Sequence, residues 1–176
     1  MKRCRPNCRN DTSSERSRSR YDPAAETDKA EIMYELPLPR NIDRLNIELQ
    51  TPLRIHHQGH PIVPEALTAQ DFLVSVFRRQ KKMSQHITDF PLPDMRQLRT
   101  AIEGVTFENA DLHWYDWKRY SSRQKVEIAL GGIVGHFTLC GNLTELYPYI
   151  KVGEYFHCGK STVMGLGKYH VTEHCE

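Results

Sequence analysis

Lys125-Val-Glu-Ile-Ala-Leu-Gly-Gly-Ile-Val-Gly-His-Phe-Thr-Leu-Cys-Gly141 decides the fold, because its apolar residues change parity partway along. Val126, Ile128 and Leu130 are even-numbered, whereas Ile133, Phe137 and Leu139 are odd. Successive side chains of a strand point to opposite faces, so a straight strand would turn half of this set away from the core. One extra residue at Gly131-Gly132 restores the register, which is what a β-bulge does. The segment predicts the second arm of a long, bent hairpin whose first arm is Asp111–Tyr120.

Outward from the hairpin, helices and strands alternate. Downstream, Asn142 or Thr144 caps a short helix running to about Phe156, with Pro148 tolerated near its first turn. A last strand, Thr162–Thr172, follows with Tyr169 and Val171 inward. Upstream, Asp94–Glu103 is a short helix ending at Gly104. Before it, Thr68 and Asp71 open an amphipathic helix reaching about His86. Phe72, Leu73, Val76, Phe77, Met83 and Ile87 fill one face, and Arg78, Arg79, Lys81 and Lys82 form a basic outer side. The opening strand is Leu45–Ile55, apolar at 45, 47, 49, 53 and 55, with Pro52 marking an edge or a bulge. The order β-α-(α)-β-β-α-β is the α+β, ferredoxin-like pattern.

Composition separates this domain, 44–176, from what precedes it. Residues 1–31 carry Arg-Ser alternation and almost no large apolar side chains, so they cannot offset the entropy of ordering and are expected to be disordered. Glu35–Arg40 is a Pro-broken linker, giving a leader over 1–43. The net charge of +2 does not by itself argue for nucleic acid, but basic residues cluster at 2–20, 78–82 and 118–125. No signal peptide or run of membrane-spanning length is present, and five scattered cysteines fit a reducing cytoplasm. Cys4 and Cys8 are read as tail thiols. His56, His57 and His60 are read as an exposed polar loop rather than a metal site, because no carboxylate or thiol stands beside them at ligand spacing. No metal or cofactor is expected.

Gly159-Lys160-Ser161 resembles a phosphate loop and is not one. The Walker pattern needs glycine five residues before Gly159, where Glu154 stands, and it needs a strand before and a helix after; here the order is reversed. The segment His157-Cys-Gly-Lys-Ser-Thr-Val-Met-Gly-Leu-Gly-Lys-Tyr169 is instead a glycine-rich loop before the last strand. Gly159, Gly165 and Gly167 permit positive φ and close approach, and Lys160 and Lys168 bring charge. Spacing leaves two readings open: a cradle for phosphates, and a tight turn with solvated lysines.

This loop resembles the C-terminal glycine-rich signature of the CRISPR-associated RAMP endoribonucleases that process repeat RNA (the Cas-six family). Trp117-Lys-Arg-Tyr-Ser-Ser-Arg-Gln124 is similar to that family's aromatic and basic block. Gly131-Gly132-x-x-Gly135 is similar to its diglycine, and Thr51-Pro52-Leu53-Arg54 to the end of its opening strand. The resemblance implies an RNA-recognition-motif-like fold, usually duplicated across a basic cleft, and metal-independent cleavage of CRISPR repeat RNA by 2′-hydroxyl attack. It implies repeat RNA as partner, with other CRISPR effector subunits besides. Family members commonly carry the catalytic histidine in a preceding ferredoxin-like domain, for which residues 1–43 are too short and polar. The chain is accordingly an endoribonuclease with its chemistry in this domain, a non-catalytic RNA-binding module, or a truncated remnant.

Metal-independent RNA cleavage needs a base, an acid and positive charge. His157 beside the loop, with Tyr120 across the sheet, is the candidate catalytic pair; the competing reading makes His157 a helix-end residue. Gly159, Lys160, Ser161, Gly165, Gly167 and Lys168 in the loop, with Lys118, Arg119 and Arg123, are the candidate RNA contacts. Trp114, Tyr115, Trp117 and Tyr120 share one short strand; at least two are expected in the core, the others free to stack on bases.

Overall fold

The computed structural model describes residues 41–86, 92, 94–121 and 125–173. The expected disorder of 1–31, the linker and Cys4, Cys8, Ile87, Arg123 and Cys175 lie outside the described residues.

Period two at the start of the domain gives strand β1 (Arg44–Leu53), with Leu45, Ile47, Leu49 and Leu53 buried on one face. A short hairpin, β2 (His56–His57) with β3 (His60–Pro61), follows and leads to helix α1 (Ala69–Met83). Thr68 caps α1 through its side chain to the Asp71 amide, and the Asp71 carboxylate returns to the Thr68 amide, a complete capping box. Helix α2 (Met95–Glu103) starts at an Asp94 cap and ends at Gly104. Strands β4 (Thr106–Tyr115), β5 (Lys118–Ser121), β6 (Val126–Ala129) and β7 (Gly132–Cys140) come next. Helix α3 (Tyr147–Phe156) and strand β8 (Tyr169–Glu173) are the last elements among the described residues.

The main sheet is antiparallel with order β4-β7-β1-β8. This is the ferredoxin-like arrangement that the order of elements predicted: each of two strand–helix–strand units returns its second strand beyond an intervening neighbour. All three helices and the inward strand residues share one apolar core. Phe72 of α1 sits edge-on to Phe137 of β7 and to Tyr169 of β8, both at 5.2 Å between ring centres. Tyr169 is buried, as expected, and its hydroxyl donates to the Ile150 carbonyl at 2.7 Å.

The bent hairpin is present, but its irregularity lies elsewhere than Gly131-Gly132. Tyr115 pairs with Gly132 and Lys118 with Ala129, equal steps on both arms, so neither arm gains a residue there. The two-stranded ribbon β5–β6 simply leaves the sheet at this point, and Val126 and Ile128 go with it rather than into the core. The extra residue is in the first arm: Glu108 pairs with Thr138 and Asp111 with His136, and Asn109 takes a φ of 49°. Asparagine tolerates that region better than most side chains, which makes it a bulge former without advertising itself as glycine does. The diglycine serves close packing instead. A Cβ on Gly132 would lie 2.7 Å from the Leu53 carbonyl oxygen, and one on Gly131 2.9 Å from that of Tyr115.

Boundaries also shift: α1 ends at Met83 rather than about His86, and β1 at Leu53 rather than Ile55. The first arm begins at Thr106 rather than Asp111. Helix α3 begins at Tyr147 without a side-chain cap, because Asn142 spends its carbonyl on the Thr144 amide in a preceding turn. The last strand begins at Tyr169, after a 3-10 turn over Thr162–Met164. Pro52 sits at a register slip of β1 against β7 between Leu49 and Leu53, so it marks a bulge in an inner strand and not an edge.

Candidate nucleic-acid interface

The end of β1 and the glycine-rich loop are stitched together backbone to backbone. Gly167 donates to the Pro52 carbonyl at 3.0 Å, and Lys160 to that of Arg54 at 2.8 Å. Gly159, with φ +82°, makes the second contact possible: a Cβ there would lie 2.5 Å from the Arg54 oxygen. Gly167 is equally constrained, 1.8 Å from the Cys158 oxygen, whereas Gly165 has open space. The expected close approach is therefore made to the protein's own chain. The amides of Lys160, Met164, Gly165, Gly167 and Lys168 all have internal acceptors. Anion binding at this loop consequently falls to side chains more than to a nest of free amides.

Those side chains border a cleft of about 990 Å³ between the loop, the β2–β3 hairpin and α1. From α1, residues 70, 71, 74, 75, 78, 79 and 82 face it, a single helical stripe, while Phe72, Leu73, Val76, Phe77 and Gln80 turn into the core. The basic side of the helix is thus one wall of the cleft. Arg54, Arg78, Arg79, Lys82 and Lys160 line it, with His56 and His57, against one carboxylate, Asp71. That carboxylate is already engaged: Oδ2 accepts from the Thr68 amide and hydroxyl, and Oδ1 meets His57 Nε2 at 2.8 Å. Arg79 donates to the Phe156 carbonyl and Arg54 to that of Ala129, which fixes both guanidinium groups. Among the described residues, Arg78 and Lys82 have no acidic partner. Unneutralised cations along low-dielectric walls focus positive potential in the cleft.

Lys160 Nζ lies 3.2 Å from His56 Nδ1, the same nitrogen that is 3.1 Å from the Gly59 carbonyl. Nδ1 accepts from lysine in one tautomer and donates to the carbonyl in the other, so only one bond forms at a time. Burial lowers the His56 pKa, and Lys160 and then Arg54 lower it further against the Gly59 bond. A neutral imidazole beside a lysine is what that combination favours.

Of the candidate residues, the structure brings Gly159, Lys160 and Ser161 to this cleft. Gly165, Gly167 and Lys168 do not line it; the Lys168 carbonyl instead accepts from Gln50 and Thr51. His157 closes α3 with φ 61°, its amide on the Gly153 carbonyl and its Nδ1 3.2 Å from the Leu166 carbonyl, the helix-end arrangement. Lys118, Arg119 and Tyr120 lie on the β5–β6 ribbon and do not line the cleft with Lys160.

The aromatic block overturns its expectation. Only Trp114 packs against the core; Tyr115, Trp117 and Tyr120 are 52%, 38% and 61% exposed. With Trp114 inward, alternation turns Tyr115 and Trp117 outward and would have buried only Tyr120 in a continuing sheet, but Tyr120 lies on the ribbon, which leaves the covered sheet. His56, His57, Asp71 and Arg54 were not candidates from the sequence. The spacing from Asp71 to the histidines is set by the hairpin and the capping box, whereas the sequence alone reads the histidines as an exposed polar loop. Among the described residues no group of His, Cys, Asp and Glu has the geometry of a metal site.

The sequence model of the CRISPR-associated endoribonuclease Cas6 family matches residues 47–169. Among solved structures, a Cas6 product complex is 15% identical with a TM-score of 0.55, covering 77% of this chain and 52% of that one. Thermus thermophilus Cas6 is 15% identical with a TM-score of 0.52, over 76% of this chain and 55% of that one. A chain of a partial Cas6-RT-Cas1--Cas2 complex is 18% identical with a TM-score of 0.57, over 79% of this chain and 24% of that one. These likenesses show the fold, and the chain spans about half the length of the Cas6 structures it matches. No curated protein matches the chain.

Proposed function

This chain belongs to the CRISPR-associated endoribonuclease Cas6 family, and from that premise we propose that it binds CRISPR repeat RNA in the cationic cleft and serves in processing precursor transcripts into guide units. One observation carries the reading: among the described residues five Lys or Arg side chains border the cleft, and the one carboxylate there, Asp71, is taken by Thr68 and His57. A strand threaded there would have its phosphates neutralised by Lys160, Arg78 and Lys82 while Arg54 and Arg79, held by carbonyls, keep the walls in place. Three exposed rings, Tyr115 at the end of β4, Trp117 at the base of the β5–β6 ribbon and Tyr120 on it, supply stacking surfaces for unpaired bases.

The open face of the sheet is a poorer candidate. It presents Glu48, Glu108, Asp111, His136, His170 and Thr172 beside Arg44, which pairs with Glu108, and among the described residues Tyr115 is its one Phe, Tyr or Trp, short of the aromatic platform that RNA-recognition motifs use. Cleavage belongs to the same proposal as the family's reaction, without a metal, and so does action in the cytoplasm beside other CRISPR proteins. No helix among the described residues is long and apolar enough to cross a membrane.

The test is fluorescence anisotropy of a labelled single-stranded repeat RNA titrated with the purified chain across a salt series. Affinity should fall steeply with salt, with a slope of about −0.7 per phosphate neutralised. Lys160→Ala should weaken it and flatten the slope by about that amount. Binding that ignores both salt and Lys160→Ala would sink the cleft as the RNA site.

A further inference from the structure

Resting on the reading that RNA occupies this cleft, we propose that His57, held by Asp71, is a catalytic residue there, with Lys160 as its partner at the scissile phosphate. The two side chains line the same cleft, His57 from the β2–β3 hairpin and Lys160 from the glycine-rich loop; the Lys160 ammonium meets His56, the neighbour of His57. His57 Nε2 is 2.8 Å from Asp71 Oδ1. The carboxylate itself is immobile, because Oδ2 accepts from the Thr68 amide at 3.1 Å and from the Thr68 hydroxyl at 2.7 Å. A helix cap thus holds an acid, and the acid holds an imidazole. With its proton on Nε2, facing Asp71, the ring carries its lone pair on Nδ1, which has no partner among the described residues. An imidazole oriented by a fixed carboxylate, with the other nitrogen free, is the arrangement of a general base.

His56 is unsuited to that task although it is the neighbour of Lys160. Its Nε2 is buried without a partner and its Nδ1 is occupied by Lys160 or Gly59. It acts on the lysine: a neutral ring beside Nζ holds the ammonium near the cleft without competing for phosphate. His56 is a positioning residue, and His57 is the one free to touch substrate.

The step balances without a co-reactant. His57 Nδ1 removes the proton of a ribose 2′-hydroxyl, and the oxygen attacks the adjacent phosphorus to form the O2′–P bond. The P–O5′ bond breaks, and the departing 5′-oxygen takes a proton from the Lys160 ammonium. The imidazolium returns its proton, and the lysine regains one, through solvent. The products are a 2′,3′-cyclic phosphate and a 5′-hydroxyl.

The experiment incubates the full chain with end-labelled repeat RNA in EDTA, identifies the new ends by mass spectrometry, and measures RNA affinity by anisotropy on the same samples. The wild type should yield a cyclic phosphate. His57→Gln should cut the rate about 100-fold or more, leaving affinity and melting temperature nearly unchanged, since this side chain is mostly exposed. Asp71→Asn, which still accepts from Thr68, should slow cleavage less than His57→Gln does. Cleavage by His57→Gln at the wild-type rate overturns the assignment, and so does wild-type RNA binding with no cyclic phosphate formed. Those two results leave the RNA-binding reading intact, whereas wild-type protein that fails to bind RNA overturns both.

Discussion

The cleft and the β5–β6 ribbon divide between them two kinds of interaction that nucleic-acid binding usually mixes. Among the described residues, the cleft is lined by five cations and two histidines, and no Phe, Tyr or Trp borders it. The ribbon and its base hold Tyr120, Trp117 and, at the end of β4, Tyr115 in the open, while Lys118 is partly answered by Glu127 at 3.6 Å. Charge attracts any phosphate backbone and weakens with salt; stacked rings hold bases and are far less sensitive to it. The separation follows from topology. Cations collect where the end of β1, the basic stripe of α1 and the glycine-rich loop converge, and rings collect where a two-stranded extension leaves the covered sheet. Mutations in the two regions should therefore differ in kind as well as in size.

The largest effect is expected from the cleft. Removing Arg78, Lys82 and Lys160 together as alanines should lower RNA affinity by about two orders of magnitude near physiological salt and reduce the salt slope by about 2. The fold should survive, because all three side chains are exposed and none belongs to the core. Anisotropy titrations across salt, with circular dichroism as the folding control, measure both. A triple variant that keeps the wild-type slope would erase the contrast.

The ribbon should respond more weakly and differently. Trp117→Ala should lose about tenfold in affinity, within the range of about 1–3 kcal/mol for one stacked base, with the salt slope unchanged. The same titrations separate the outcomes. Parallel lines for wild type and variant sharpen the comparison, whereas converging lines would mean that the ring's neighbours Lys118 and Arg119 carry the effect.

What the sequence made legible, and what it hid, divides along the same line. The ferredoxin-like order could be read because it rests on local periods: alternation in Leu45–Leu53, helical spacing through Phe72, Val76 and Phe77, and the Thr68–Asp71 cap all speak within a few residues. Register was harder. Gly131-Gly132 attracted the bulge because glycine is conspicuous, yet Asn109 carries it. A bulge is a statement about two strands, and one strand's parity cannot say which of them gained the residue. The aromatic block failed for a related reason: alternation tells which residues share a face, but not whether a second layer covers that face. Lys160 was found because it lies in a motif. His57 and Asp71 were missed as a pair because their contact depends on how a two-residue hairpin folds back over the first turn of α1. Arg78 and Lys82 were read as an outer face, which is correct for the helix alone; the loop more than seventy positions later makes that face a wall.

The smallest expected effect concerns pH and again belongs to the cleft. Burial, Lys160 and Arg54 hold the His56 pKa below its ordinary value near 6.5. In the unfolded chain that value is restored, so as the pH falls through about 6.5 the unfolded state takes up a proton that the folded state still refuses. The unfolded state then binds more protons, and stability must decline with falling pH until the folded-state pKa is passed, below which the loss levels off. His56→Gln removes the titrating group and should flatten this part of the curve, measured as urea unfolding midpoints from about pH 7.5 to 5. Tyr120→Phe on the ribbon should leave the curve's shape alone. A His56→Gln curve parallel to the wild type would mean that the lysine moves aside when the imidazole charges, and that the cleft wall on the loop side is softer than its hydrogen bonds to Pro52 and Arg54 imply.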